Sequence, residues 1–216
     1  MTLRAQVLSE LGTVYDPELD EPITTLGFVG ACAVSEDGDV TVRLRLPTPQ
    51  CAPNFAFLMA ADARAALARV PGLRAVDVTL EDHYTGAEIN AAVARDGAFA
   101  DAFPGETEGS LDALRALFQR KALVAREGRL LASIPDPAGV RLGDLTGPDA
   151  ERCRELRAAL GIPAGDDAPA FVTGDGAPVS DFARFSRLAR LTALSLETNG
   201  GLCRDLLSVR YREEAA

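Results

Sequence analysis

The stretch Val40-Thr41-Val42-Arg43-Leu44-Arg45-Leu46-Pro47-Thr48-Pro49-Gln50-Cys51-Ala52-Pro53-Asn54-Phe55 decides how the chain folds. Val40, Val42, Leu44 and Leu46 alternate with Thr41, Arg43 and Arg45, the period-two pattern of a strand with one wet face. An Ala-rich run from Asn54 to Val70, with Phe55, Leu58, Met59, Ala63 and Leu67 at helical spacing, reads as a helix that Pro71-Gly72 stops. Between them lies Cys51, at a strand-to-helix turn stiffened by Pro47, Pro49 and Pro53, each of which fixes its own φ and restricts the residue before it. Unpaired N–H groups and the positive end of the helix dipole at such a turn favour a thiolate, the form that binds metal or attacks an electrophile. The plainer alternative is a cysteine packed as a small hydrophobe.

Upstream, Leu3, Val7, Leu11 and Val14 mark a first amphipathic helix over residues 2–13, which Gly12 ends. Tyr15-Asp16-Pro17-Glu18-Leu19-Asp20-Glu21-Pro22 then places four carboxylates around two prolines. It reads as an acidic loop, either a solvated turn or a loop facing Cys51 with Asp16 or Glu18 as hard ligand or partner contact. Phe28 to Val34 forms a largely buried strand with Cys32 as core packing, and Asp37-Gly38 signals a hairpin turn into the next strand. Val76, Val78 and Leu80 give a third strand. The order helix, strand, strand, helix, strand specifies α+β: a small three-stranded sheet with helices on one face, with a right-handed crossover if the last two strands are parallel.

Composition bounds the function. The net charge of −10 argues against nucleic acid as a partner. Residues 1–109 hold 7 Arg and no Lys against 17 Asp or Glu, whereas residues 110–216 balance 15 against 15, which supports a boundary between an acidic part and a neutral part. No run of about 18 apolar residues is present, so no membrane span is expected. The N-terminus lacks the apolar stretch of a secretory signal. Cys32, Cys51, Cys153 and Cys203 are scattered with no CxxC pair, so reduced thiols in a cytoplasm are expected. No GxGxxG, Walker A, HExxH or GxSxG motif appears.

Asp16-Pro17-Glu18, Leu26-Gly27-Phe28-Val29, the Asp-Gly hairpin, the Pro-flanked Cys51 and Val70-Pro71-Gly72, in that order across about 80 residues, resemble the metal–sulfur cluster assembly family, which includes SufT-like and PaaD-like proteins. The resemblance implies a small α+β domain over residues 1–84 that is often dimeric, with a role in maturing iron–sulfur proteins. It implies that Cys51 is the reactive cysteine and Asp16 the acid of the Asp-Pro-Glu motif. Pro47 stands where the family usually has Thr, and Ala52 where it usually has Pro; Thr48, one position along, can supply the hydroxyl.

Residues 85–216 form a mainly helical extension. Glu81-Asp82-His83-Tyr84 contains the chain's single histidine, which at a strand end could reach the same end of the sheet as a ligand; a hydrogen-bonded structural histidine is the plainer reading. Asn90 to Asp101 reads as helical. Ser110 caps a helix with Leu111, Leu114, Phe118, Ala122 and Ala125 inward and Arg115, Arg120, Lys121, Arg126 and Arg129 outward, either a solvated face or a basic strip for an acidic partner. Residues 135–148 are loop-like, and Pro148-Asp149 start a helix, with Cys153 in its core face, that Gly161 and Pro163 end. Phe171 to Gly176 suggests a small hairpin, and Leu191 to Leu196 a short strand or helix. Gly200-Gly201 reads as a turn before a last helix that Cys203 begins.

These readings converge on a non-catalytic maturation factor that carries iron or an iron–sulfur cluster transiently and passes it to a client metalloprotein. The expected ligands are Cys51, Cys203, His83 and Asp16, and the expected partner contacts Glu18, Thr48, Arg120 and Lys121. The extension resembles that of variants accompanying soluble diiron monooxygenases, so a diiron oxygenase is the implied client. The alternatives are a metal-free chaperone or scaffold, and a thiol enzyme with Cys51 as nucleophile and His83 as base.

Overall fold

The structure, a computed structural model, describes residues 2–107 and 109–211. It divides into two compact units, one of residues 1–111 with 199–216 and one of residues 112–198.

In the first unit, α1 (Leu3–Leu11) precedes a two-residue ladder, β1 (Tyr15–Asp16) and β2 (Glu21–Pro22). The sheet follows: β3 (Val29–Val34), β4 (Asp39–Arg45) and, after α2 (Pro53–Leu67), β5 (Ala75–Glu81), in the order β3-β4-β5. β3 and β4 pair antiparallel; β4 and β5 pair parallel, with Asp39 opposite Ala75 and Arg45 opposite Glu81. The alternation of β4 sets its faces. Val40, Val42 and Leu44 are at most 1% exposed and share a core with Val7 and Leu11 of α1 and with Ala56, Ala60, Ala63 and Leu67 of α2, while Arg43 stays in solvent. The Asp37-Gly38 turn requires its glycine twice over: φ is +86°, and a Cβ there would lie 2.5 Å from the carbonyl oxygen of Gly72.

Several readings change here. β3 is an edge strand with Gly30, Ala31 and Ala33 exposed and Cys32 half-buried, because helices cover only one face of the sheet and β4 takes its centre. The acidic loop is packed rather than solvated: Leu19 and Ile23 enter the core, and Asp16 and Asp20 are 7% and 4% exposed. The unit also extends beyond residue 84, the expected domain boundary. α3 (Gly86–Ala94) buries Ile89, Ala92 and Val93 in the same core, and α4 (Phe99–Ala102) adds Ala102. The helix expected from Asn90 to Asp101 is split by Asp96, which takes a positive φ of 55°.

The second unit holds α5 (Asp112–Leu131), α6 (Pro148–Leu160) and the first part of α7 (Phe182–Arg210). α6 begins at Pro148 and ends on Gly161 in the left-handed conformation, as proline and glycine dictate. Arg126 and Arg129 of α5 do not face outward as a free strip: both bind the Asp149 carboxylate at the start of α6, at 2.8 and 3.0 Å. Beneath them, Glu127 and Arg157 form an ion pair with no exposed side-chain surface; Arg157 also donates to the carbonyls of Pro169 and Ala170, and the amide of Val172 donates to Glu127. Cys153 is fully buried beside this pair. Phe171 to Gly176 forms a turn bridged at Val172–Pro178. Gly128 lets α7 approach closely, since a Cβ there would lie 2.4 Å from that of Ala189.

α7 overturns the reading of the last segment. Phe182 to Arg210 is one 29-residue helix that runs through Leu191–Leu196 and through Gly200-Gly201, and Cys203 lies inside it rather than at its start. Among the described residues no helix is long and apolar enough to cross a membrane.

Candidate functional site

Cys51 sits half-buried on the turn between β4 and α2. The Cys51 amide donates to the Thr48 carbonyl at 3.4 Å, and the Gln50 amide donates to the Thr48 hydroxyl at 3.3 Å, so the turn is tied to its own first residue. The Thr48 hydroxyl lies 3.5 Å from the Cys51 sulfur. α2 starts at Pro53 after Ala52, which offers no capping side chain, so the first N–H groups of the helix have no capping side chain from Ala52 to accept from them.

The exit of β5 braces this turn. His83 Nε2 lies 2.7 Å from the Cys51 carbonyl oxygen, while its Nδ1 accepts from the Thr85 amide at 3.3 Å. An Nδ1 that accepts an amide hydrogen leaves the ring proton on Nε2, so His83 donates to the Cys51 carbonyl as a neutral imidazole. Burial, with Arg210 adding to it, lowers its pKa below the ordinary histidine value, against the opposing pull of the Cys51 carbonyl. With both nitrogens engaged, His83 acts on the Cys51 turn as a brace. The Tyr84 amide adds a bond to the Pro49 carbonyl at 3.0 Å.

Asp16 is held from the acidic loop. One of its carboxylate oxygens accepts the amides of Glu18 and Leu19 at 2.8 and 3.0 Å. Burial nevertheless pushes its pKa up to about 6, the two amides opposing and Glu18 and Glu21 reinforcing the rise.

The end of α7 lies over the same region. Arg204 pairs with Glu21, and Gly200 lets Glu21 approach, since a Cβ there would lie 2.7 Å from its carboxylate. Leu207 packs at Gly27. Arg210 donates to the carbonyls of Leu46 and Asp82 at 2.9 and 2.6 Å, and the Tyr211 hydroxyl reaches the Asp82 carboxylate at 3.2 Å beneath the Arg45 guanidinium. Cys203 packs half-buried against the first unit's core, as Cys51 does. Burial first, then Asp16, Cys51 and Glu18, push its thiol up to about 11, with Arg204 opposing.

Arg120 and Lys121 belong to the second unit. Both are exposed, Arg120 3.8 Å from Asp175 and Lys121 with its ammonium 4.5 Å from the centre of the Phe118 ring. Among the described residues no group of three or more His, Cys, Asp and Glu side chains is arranged to hold a metal ion. The described residues therefore offer no full ligand set for a resident metal. The sequence reading missed Glu21, Arg210 and Tyr211, whose partners lie 128 to 183 residues away along the chain for the side-chain bonds of α7 and carry no local signal.

The sequence profile of the family described as iron-sulfur cluster assembly protein matches residues 4–80. An uncharacterized protein of Methanocaldococcus jannaschii is 32% identical over 90 residues, 42% of this chain and 93% of that protein. An Fe-S protein maturation auxiliary factor of Porphyromonas gingivalis is 35% identical over 74 residues, 34% of this chain and 69% of that protein. An iron-sulfur cluster carrier protein of Mycobacterium tuberculosis is 40% identical over 79 residues, 37% of this chain but only 20% of the carrier. No solved structure matches the chain.

Proposed function

The chain belongs to the iron–sulfur cluster assembly protein family, and from that premise we propose that it is a non-catalytic maturation factor whose cargo, iron or an iron–sulfur cluster, is taken up through Cys51 and passed to a client metalloprotein. The observation that carries this reading is the Cys51 turn itself: a half-buried thiol before the first turn of α2, with the Thr48 hydroxyl 3.5 Å from its sulfur and its carbonyl braced by His83. A soft thiolate suits iron in cluster chemistry. Bound cargo would leave coordination positions to be filled by the client, because this chain supplies no third ligand group among its described residues. Handing over is then a ligand exchange in which the client's side chains replace Cys51. Relatives named as carrier and auxiliary factor support a carrier rather than an enzyme.

The same lack of a three-ligand group favours a second reading, a metal-free scaffold that holds a client through the acidic loop, Glu18 included, and through Arg120 and Lys121. Metal and sulfide analysis of protein purified without oxygen separates the two. Iron that is retained in the parent chain and lost in Cys51→Ser supports the carrier; protein devoid of iron that still captures its client supports the scaffold. Mass spectrometry of co-purified proteins then reads the client class, with a diiron oxygenase as the candidate, and the cellular compartment, with the cytoplasm as the candidate.

A further inference from the structure

We infer that α7 pairs antiparallel with the α7 of a second copy, so that the chain is a dimer closed through its last helix. Exposed large apolar side chains number eight among the described residues, and six of them lie on α7: Leu188, Leu191, Leu194, Leu202, Leu206 and Val209, each 40–67% exposed. The inner side of the helix is already covered. In its first half Phe185 and Ala189 are buried in the core of the second unit, and in its second half Cys203 and Leu207 pack on the core of the first. A helix that is apolar on both sides needs a second cover.

The spacing selects another helix as that cover. Leu188, Ser195, Leu202 and Val209 recur every seven residues, and Leu191 and Thr198 sit three after the first two, the seam spacing of a helix that packs lengthwise on another. Set antiparallel about the midpoint of Thr198 and Asn199, the seam is self-complementary. Leu188 meets Val209 of the second copy, Leu191 meets Leu206, and Ser195 meets Leu202. Charge selects the same direction. Arg184, Arg187 and Arg190 are exposed around the leucines of the first half, and no carboxylate pairs with their guanidinium groups among the described residues. A parallel pair would set these arginines against their own copies. The antiparallel pair sets them beside the second half, where Asp205 is exposed and Arg204 is held by Glu21. Arginines interleaved with leucines also suit a protein better than a bilayer, which takes an apolar face clear of charge. The six side chains leave roughly 600 Å² of apolar surface in solvent; with the arginines at its border this approaches the roughly 800 Å² that each partner gives to a stable interface. α7 lies outside the family-matched residues 4–80, so the pairing is a property of the extension and does not rest on the reading of Cys51.

Analytical ultracentrifugation of the full reduced chain tests the pairing. The parent should sediment with twice the mass of one chain. Leu191→Lys and Leu206→Glu each place a charge in the seam and should raise the dissociation constant of the dimer at least about tenfold. Because residue 191 of each copy meets residue 206 of the other, the two substitutions combined in one chain form two Lys–Glu contacts and should restore the dimer. Circular dichroism checks that each variant keeps the helix content of the parent, and Leu188→Lys with Val209→Glu replaces a pair that does not. A parent that stays monomeric at its highest soluble concentration overturns the inference, as does a dimer that persists in both single variants. A double variant that stays monomeric overturns the antiparallel register. A monomeric parent that binds phosphatidylglycerol vesicles makes a bilayer the cover of this face and overturns the dimer.

Discussion

Asp16→Asn should make the first unit more stable relative to the parent as pH rises. In the fold, burial pushes the Asp16 carboxyl from 3.8 up to about 6, so between those values the native state binds a proton that the unfolded chain has released. Stability then falls as pH rises through this window and levels above about pH 6, because linkage follows the excess of protons bound by the unfolded state, which here is negative. A rise of about two pH units at roughly 1.4 kcal/mol each puts the cost of the charged form near 3 kcal/mol at neutral pH. Asparagine keeps an oxygen to accept the amides of Glu18 and Leu19 and carries no charge. The parent's disadvantage should thus grow by about 3 kcal/mol between roughly pH 4 and pH 7. Urea denaturation followed by tyrosine fluorescence reads this selectively, since Tyr15, Tyr84 and Tyr211 all lie in the first unit and the chain has no Trp. A stability difference between parent and Asp16→Asn that does not change with pH would refute the argument that burial opposes this charge.

Three further outcomes follow from named contacts. Glu127→Gln strips the charge that answers Arg157 in a fully buried pair and should cost about 3–5 kcal/mol in the second unit, read by hydrogen exchange at α5 and α6; a cost within about 0.5 kcal/mol would mean the pair is dispensable. Iodoacetamide at neutral pH should modify Cys51 before Cys153, whose thiol burial holds near 12; faster labelling of Cys153 in folded protein contradicts the assignment of the reactive thiol. His83→Ala removes the donor to the Cys51 carbonyl and should weaken iron retention less than Cys51→Ser does, with partial rescue by His83→Gln; a loss equal to that of Cys51→Ser would make His83 a ligand instead of a brace.

Much of the first unit was legible because its signals are local. The alternation of Val40 to Leu46, the Asp37-Gly38 turn and the proline at the head of α2 each act within a few residues and agree with one another. The same holds for Pro148 and Gly161 around α6. Long-range packing set the rest. Gly200-Gly201 reads as a break by propensity, yet α7 continues through it, and Gly200 is where the Glu21 carboxylate comes too close for a Cβ. The half-exposure of β3 depends on its place at the sheet edge, and the inward turn of Arg126 and Arg129 on Asp149, neither of which periodicity carries. In the site, Cys51 was visible from its own neighbours and His83 from its position at a strand end. The clamp of Arg210 and Tyr211 on Leu46 and Asp82 spans well over a hundred residues and leaves no trace in the pattern.

The central claim is tested most directly by cluster transfer. The full chain, loaded with iron and sulfide without oxygen and freed of excess reagents, is mixed with an apo-ferredoxin whose recovered absorption reports the cluster it receives. The parent should keep iron and sulfide through desalting and restore the ferredoxin, and Cys51→Ser should do neither, while Cys32→Ser behaves as the parent. A Cys51→Ser chain that loads and transfers as well as the parent would contradict the account.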